Sequence, residues 1–385
     1  MAKRGNGEGS IFYSEKLNRW VGQFTAGRKA DGKLNRKSVY GKTRKEVKDK
    51  MNKALVDVNK GLFIDKQDIT FKELIENYIS YKYDTNQISD RSFLRNQETL
   101  KQIIKCDSAF ANKNIQKITT EDIKHFLTTI TIYSDSSIKK MYSMMNKAFK
   151  IAMSEKYIIF NPTNSEIIKK PNSDKENKKI EALTVEEQRN LINVLDLNSK
   201  YDLIILMQLY TGMRIGEVLA LKKEDIDINN NKIYIQRTLT RNKNDKVILG
   251  NKTKTENSVR NITINSSIHI ILSNAFKIDS HNKYGLLFYD DEEDNFISPN
   301  ELNSYLQRLN KKYSIAKHIH THMLRHTYAT RCIESGMSAK VLQKKLGHKN
   351  ITTTMDTYAS VFEKFQLQED DKFNAYLDKE NIGLH

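Results

Sequence analysis

The sequence is short of the residues that staple or interrupt a fold. Its only cysteines, Cys106 and Cys332, lie far apart, so they build neither a disulfide framework nor a multi-cysteine zinc module. Prolines number three and tryptophan one. No apolar run approaches the roughly 18 to 20 residues that a membrane span needs, and no apolar leader follows the basic start. With a mean hydropathy of -0.64, these absences predict a soluble protein of a reducing bacterial cytoplasm, with no membrane partner. Negative charge is also in deficit, since 64 Lys and Arg face 47 Asp and Glu, a net +17. The excess is uneven: residues 1–66 carry 17 basic against 7 acidic side chains, a net +10, while the rest carries 47 against 40. A small, strongly basic module therefore precedes a larger, mildly basic body. Such a field attracts a polyanion, and nucleic acid fits where no membrane-anchoring surface is present.

At 385 residues the chain is too long for one ordinary core, and its patterning predicts three domains. In residues 1–66, aromatic and β-branched runs predict strands near Ile11–Tyr13, Trp20–Thr25 and Asn35–Tyr40. Turns fall at Leu17–Asn18 and at the Asp31–Gly32 pair. A helix follows, with Thr43 and Glu46 spaced as a capping box. Arg19, Arg28, Lys29, Lys33, Arg36 and Lys37 lie on or beside these strands among Trp20, Phe24 and Tyr40. A basic ribbon of this kind fits a DNA groove, and the competing reading is a solvated face over a small core. Residues 67–161 predict a four-helix domain: caps stand at Thr70 and at Thr119 or Thr120, and Ile138, Met141, Met145, Ala148, Phe149 and Ala152 form a stripe at helical spacing. Residues 162–182, with two of the three prolines amid Asn, Ser and Lys, predict a linker. Residues 183–385 predict a mixed α/β domain that opens with a capping box at Thr184 and Glu187. Two antiparallel strands stand out there, in "KIYIQRTL" and "SVRNITI". The whole is mainly α with small β.

Chemistry concentrates in this last part. In "TGMRIGE", Gly212 ends one helix and Arg214 stands in the first turn of the next, where backbone N–H groups favour an anion and a planar guanidinium can grip phosphate. Glu217, three residues on, can orient that guanidinium, although the fragment alone reads better as an ordinary surface ion pair. "HIHTHMLRH" places four of the nine histidines within residues 318–326. His322 and His326 have the i, i+4 spacing of a zinc helix, but Met323 stands where a metalloprotease carries Glu, and no Cys, Asp or Glu set surrounds them. His322 and Arg325 instead share a helix face, pairing a titratable imidazole with a permanent cation. His318 and His320 fall in the approach loop, and His326 reads as packing. Farther on, His348 follows Gly347, and Tyr358 ends a threonine-rich segment ten residues later. The acidic run Asp290–Asp294 reads as a solvated loop.

In order and spacing, Arg214, the pair His322 and Arg325, His348 and Tyr358 resemble the signature of the tyrosine recombinase (integrase) family, in particular integrases of phages and conjugative transposons. The family also carries a lysine on a β-hairpin between its first arginine and its histidine–arginine pair. Lys254 in "TKTENSVRNI" matches best; Thr253 stands where proline is common, and Lys252 lies close by. The amino-terminal basic sheet resembles an arm-type DNA-binding domain and the helical middle a core-site-binding domain. The resemblance implies that Tyr358 attacks a phosphodiester to give a 3′-phosphotyrosine and a free 5′-hydroxyl. It implies that Arg214 and Arg325 hold the non-bridging oxygens, Lys254 protonates the leaving oxygen, His322 assists proton transfer from Tyr358, and His348 hydrogen-bonds the phosphate. Glu217 acts behind them, and neither a cofactor nor a metal is required. Its partners are double-stranded DNA at core-type and arm-type sites and, on that DNA, three further copies of the chain. An excisionase and a DNA-bending host protein are open additions. Two rival classes share parts of this pattern: a type IB topoisomerase shares the chemistry and only relaxes supercoils, and a non-catalytic DNA-binding protein needs only the positive field.

Overall fold

The computed structural model describes residues 9–28, 32–60, 63–64, 68–164, 166–176, 181–250, 260–278, 282–380 and 382, with backbone alone for 364–372. The chain divides into two compact units, 1–177 and 178–385.

The first unit opens with an antiparallel sheet, β1 (Ser10–Ser14), β2 (Arg19–Arg28) and β3 (Leu34–Gly41), in that spatial order. Between β1 and β2 a short 3-10 turn ends on Asn18 at φ 46°, the left-handed conformation that asparagine tolerates better than most residues. Helix α1 (Arg44–Asn59) covers one face; a Cβ on Gly22 would stand 2.7 Å from Val47 Cγ1. Thr43 caps α1 by accepting from the Glu46 N–H, but the Glu46 carboxylate accepts from the Lys42 N–H, so the box is displaced by one residue. Of the basic residues, Arg19 and Arg36 lie with Phe12 and Tyr40 on the face away from α1. Lys37 pairs with the buried Phe24 on the covered face, and Arg28 and Lys33 stand at the turn between β2 and β3. Lys29 lies outside the described residues.

The helical body follows as α2 (Phe71–Asp84), α3 (Asp90–Cys106), the short α4 (Ser108–Asn112), α5 (Thr120–Thr129) and α6 (Asp135–Ser154). The six apolar side chains of the α6 stripe are all fully buried. Reciprocal capping boxes start α2 at Thr70 and Glu73 and α5 at Thr119 and Asp122. The segment after α6 is tied to the body: Ile168 joins its core, Lys170 reaches Asp135 at 2.6 Å, and Ser173 donates to the Tyr133 carbonyl.

The second unit runs α7 (Val185–Val194), α8 (Lys200–Thr211) and the one-turn α9 (Ile215–Val218), and then strands β4 (Ile226–Asp227), β5 (Lys232–Ile235), β6 (Leu239–Arg241), β7 (Val247–Leu249) and β8 (Arg260–Thr263). Strands β4, β5 and β8 form one antiparallel sheet, as the two patterned stretches imply, while β6 and β7 form a small hairpin of their own. Helices α10 (Ser266–Lys277), α11 (Pro299–Tyr313), α12 (Thr321–Glu334), α13 (Ala339–Leu346) and α14 (Ile351–Lys379) complete it. Helix α8 is apolar on nearly every face, because α10 packs on one side of it and α12 on the other. The acidic run is anchored rather than free: Asp291 pairs with Lys200, and Asp294 accepts from the Tyr289 hydroxyl.

Candidate active site for phosphodiester chemistry

Two helices end on glycines in the left-handed conformation, Gly212 after α8 at φ 65° and Gly347 after α13 at φ 66°. A helix end leaves carbonyl oxygens without partners inside the helix, and here arginines take them. Arg325, 2% exposed on α12, donates from Nη1 to Gly212 O and from Nη2 to Leu346 O, both at 2.7 Å. Arg214 donates from Nη2 to Gly347 O at 3.3 Å. The glycines are needed for space as well as for φ: a Cβ on Gly212 would stand 2.2 Å from the Tyr328 ring, and one on Gly347 2.9 Å from Arg260 Nη1.

Arg214 does not stand in the first turn of a substantial helix. It is the residue before α9, and α9 has only four residues, too few for the dipole support expected from the sequence. Glu217 positions it instead: its carboxylate accepts from the Arg214 N–H at 2.8 Å and from Nη1 at 3.0 Å. The same carboxylate accepts both Nη groups of Arg260 on β8, at 3.1 and 2.6 Å, and Arg260 Nε donates to Lys345 O at 2.9 Å. Glu217 and Arg260 are both buried, each 7% exposed at the side chain. Burial alone would raise the Glu217 pKa; hydrogen bonding and charge from Arg260, then from Arg214, overcome it and bring the group to about 2. Glu217 is therefore a buried anion between two cations, and the reading of a mere surface pair fails. Arg214 keeps 45% of its side chain exposed, so it can reach an incoming anion.

The imidazoles gather beside these arginines. His320 caps α12 by accepting at Nδ1 from the Met323 N–H, a more defined task than membership of a loop, and His318 pairs with Glu181 at 2.9 Å. His322 and His326, one turn apart, meet edge to face with ring centres 4.5 Å apart. His348 Nε2 lies 3.1 Å from Arg325 Nη2, and its Nδ1 lies 2.8 Å from Thr354 Oγ1. Burial and neighbouring cations depress all three rings, His326 and His348 to about 4, so they are neutral at pH 7. Burial presses on Arg325 as well, yet a guanidinium keeps its charge in proteins.

Tyr358 interrupts α14 with non-helical angles, φ −120° and ψ 18°, and is 2% exposed. Its ring packs among Ala329, Cys332, Ile333, Leu342 and Leu346, and its hydroxyl lies 2.8 Å from His326 Nδ1. Burial raises its pKa to about 12. His326 is thus not simply packing, as the sequence suggested; it is the polar partner of the phenol. The structure brings together Arg214, Glu217, His322, Arg325, His348 and Tyr358, and adds Arg260, His326 and Thr354. Lys252 and Lys254 lie outside the described residues. Among the described residues no three His, Cys, Asp or Glu side chains group as metal ligands, and no helix is long and apolar enough to cross a membrane.

Residues 181–364, the stretch that holds the whole cluster, match the phage integrase family. The chain is 28% identical to a XerC-like tyrosine recombinase of Caldanaerobacter subterraneus subsp. tengcongensis, over 88% of this chain and 92% of that protein. It is also 28% identical to the integrase of Staphylococcus phage L54a, over 79% of this chain and 92% of that one. In fold it resembles the integrase of the Tn1549 transposon, solved with circular intermediate DNA, at a TM-score of 0.64 with 23% identity, covering 75% of this chain and 95% of that one. Fold and relatives together define an enzyme that cuts and transfers DNA strands. Residues 181–364 form a phage integrase family domain, and the chain is a tyrosine recombinase, whose activity is site-specific recombination of mobile DNA.

Proposed function

We propose that the clustered side chains carry this activity by covalent catalysis at Tyr358. The phenolic oxygen attacks a DNA phosphorus, a 3′-phosphotyrosine bond forms, and the 5′-oxygen leaves as a hydroxyl once it has gained a proton. The phosphoester link is conserved, so rejoining to a partner strand needs neither ATP nor a metal. Arg214 and Arg325 hold the non-bridging oxygens as charge develops on them. The observation that carries this reading is the pair of guanidinium groups drawn to one place by Gly212, Leu346, Gly347 and Glu217. His322 and His326 are the imidazoles for the phenol's proton, and Lys254 is the donor to the leaving oxygen. A phenol 2% exposed must leave His326 to meet a duplex, and the break in α14 at Tyr358 supplies the hinge.

The three-domain division, residues 1–66 for arm-type sites, 67–161 for core-type sites and 183–385 for catalysis, belongs to the same proposal. In its support, α2, α3 and α6 line a groove of about 1020 Å³ that carries Lys82, Arg95, Lys139, Lys147 and Lys150, cations of the kind that contact a phosphate backbone. Exchange of strands between two duplexes calls for four copies of the chain.

Tyr358→Phe is expected to abolish covalent DNA adducts on a nicked duplex spanning the joined ends of the element, with binding retained, because only the nucleophile is lost. Adduct formation at the wild-type level overturns the assignment. A topoisomerase is separated by product: relaxation of a plasmid that lacks the site, with no exchange between two duplexes that carry it, would favour that class.

A further inference from the structure

The contacts of His348 fix which of its nitrogens carries the proton. Arg325 is a guanidinium, with donors and no acceptor, so the His348 Nε2 that lies 3.1 Å from Arg325 Nη2 must offer its lone pair. A neutral ring then has its hydrogen on Nδ1. That hydrogen points at Thr354 Oγ1, 2.8 Å away, and Thr354 is completely buried. The backbone of His348 is clamped as well: Gln343 Nε2 donates to its carbonyl at 3.1 Å, and its own N–H donates to Gln343 O at 3.1 Å. With the main chain held, what remains to be set is the ring's orientation and tautomer. The groups that face the ring are the cations of Arg325, Arg214 and Arg260 and the imidazole of His322. None of them favours a second N–H on the Nε2 side.

We propose that Thr354 is a positioning residue that holds His348 as the Nδ1–H tautomer and keeps Nε2 directed at Arg325 and the scissile phosphate. The proposal rests on the reading of Arg325 and His348 as parts of the phosphate site. An oxygen that accepts from Nδ1–H serves both forms of the ring. In the neutral ring Nε2 aims the guanidinium; once an anionic oxygen approaches and Nε2 takes a proton from solvent, the same Nδ1–H bond persists and Nε2 becomes a donor to that oxygen. Thr354 also lies one helical turn before Tyr358 on α14, so the helix that carries the nucleophile is tied through this bond to a ring of the phosphate site. The effect resembles that of a buried acceptor orienting a catalytic imidazole in a hydrolase triad.

The test begins with the full wild-type chain, labelled with ¹⁵N in its histidine rings. Long-range ¹H–¹⁵N correlation at pH 7, with the His348 signal assigned by its loss in His348→Gln, should show the Nδ1–H tautomer. Thr354→Val keeps the branched shape and removes the oxygen, and should yield a mixture or the Nε2–H form; Thr354→Ser should restore the wild-type pattern. On the nicked duplex, Thr354→Val should form adduct about tenfold more slowly in single turnover, the size of one hydrogen bond lost, with DNA affinity unchanged and Thr354→Ser near wild type. A wild-type His348 in the Nε2–H form overturns the proposal, and needs no variant that might fail to fold. So does a Thr354→Val protein that keeps a pure Nδ1–H ring. The expected tautomers together with His348→Gln forming adduct at the wild-type rate would instead overturn the role of His348 at the phosphate and leave the Thr354 bond standing.

Discussion

At the scale of single residues, the site is built by giving each cation an acceptor that aims it. Glu217 carries most of this, because one buried carboxylate serves both Arg214 and Arg260. Removing one partner of a buried pair leaves the other as an uncompensated charge, which costs about 3 to 5 kcal/mol. Glu217→Gln is therefore expected to lower stability by about that much at pH 7 in urea unfolding, and to slow adduct formation besides. Its pH dependence has a definite sign. The folded-state pKa, at about 2, lies below the ordinary 4.5, so this contribution is complete above the unfolded value and fades as pH falls from 4.5 toward 2. The gap between wild type and variant should hold from pH 7 to 5 and narrow between 4.5 and 2; a gap that stays constant down to pH 2 refutes the charged role. Arg214, the His322–Arg325 pair, His348 and Tyr358 were legible in the sequence because their local spacing carries the pattern. Arg260, His326 and Thr354 were not. Arg260 meets Glu217 only through the pairing of β8, and the partners of His326 and Thr354 are set by how α12, α13 and α14 pack, which no local spacing reports.

At the scale of elements, capped helices were the most legible feature, since a Thr or Ser with an acid three residues on satisfies two backbone donors locally. Thr70, Thr119 and Thr184 begin their helices in this way, while at Thr43 the acid turns to the residue before. The β6–β7 hairpin was missed because its three-residue strands are too short to show alternation. Glycine-ended helices give a prediction with an internal control. Gly212 and Gly285 have nearly the same φ, 65° and 66°, but a Cβ on Gly212 strikes Tyr328 while one on Gly285 meets nothing within 4 Å. Gly285→Ala should cost about 1 kcal/mol, the conformational penalty alone. Gly212→Ala should cost well over twice as much and should also slow adduct formation, because the Gly212 carbonyl that holds Arg325 must move. Thermal unfolding and single-turnover cleavage of the two variants check this, and equal losses in both would show that φ, not the fit against Tyr328, is what matters.

At the scale of the whole molecule, charge and catalysis are separated along the chain. The proposed catalytic cluster lies entirely beyond residue 210, while residues 1–66 hold net +10 of the total +17. On the proposed reading, a module with that excess and a sheet that shows Arg19 and Arg36 beside Phe12 and Tyr40 gains its affinity by displacing counterions from phosphates, and each phosphate neutralised on duplex DNA adds about 0.9 to the slope of log affinity against log salt. Removing residues 1–66 is therefore expected to flatten that slope by several such steps for DNA that carries both kinds of site. For a short duplex bearing only the strand-exchange core the slope should hardly change, because the basic groove of α2, α3 and α6 and the arginines of the catalytic unit remain. Cleavage of the short duplex should persist. Filter binding of both proteins to both duplexes from 50 to 200 mM salt, about the range over which such contacts are resolved, decides the matter. If the truncated and full chains give parallel lines on the longer DNA, the basic sheet makes no phosphate contacts there, and its charge serves some other end.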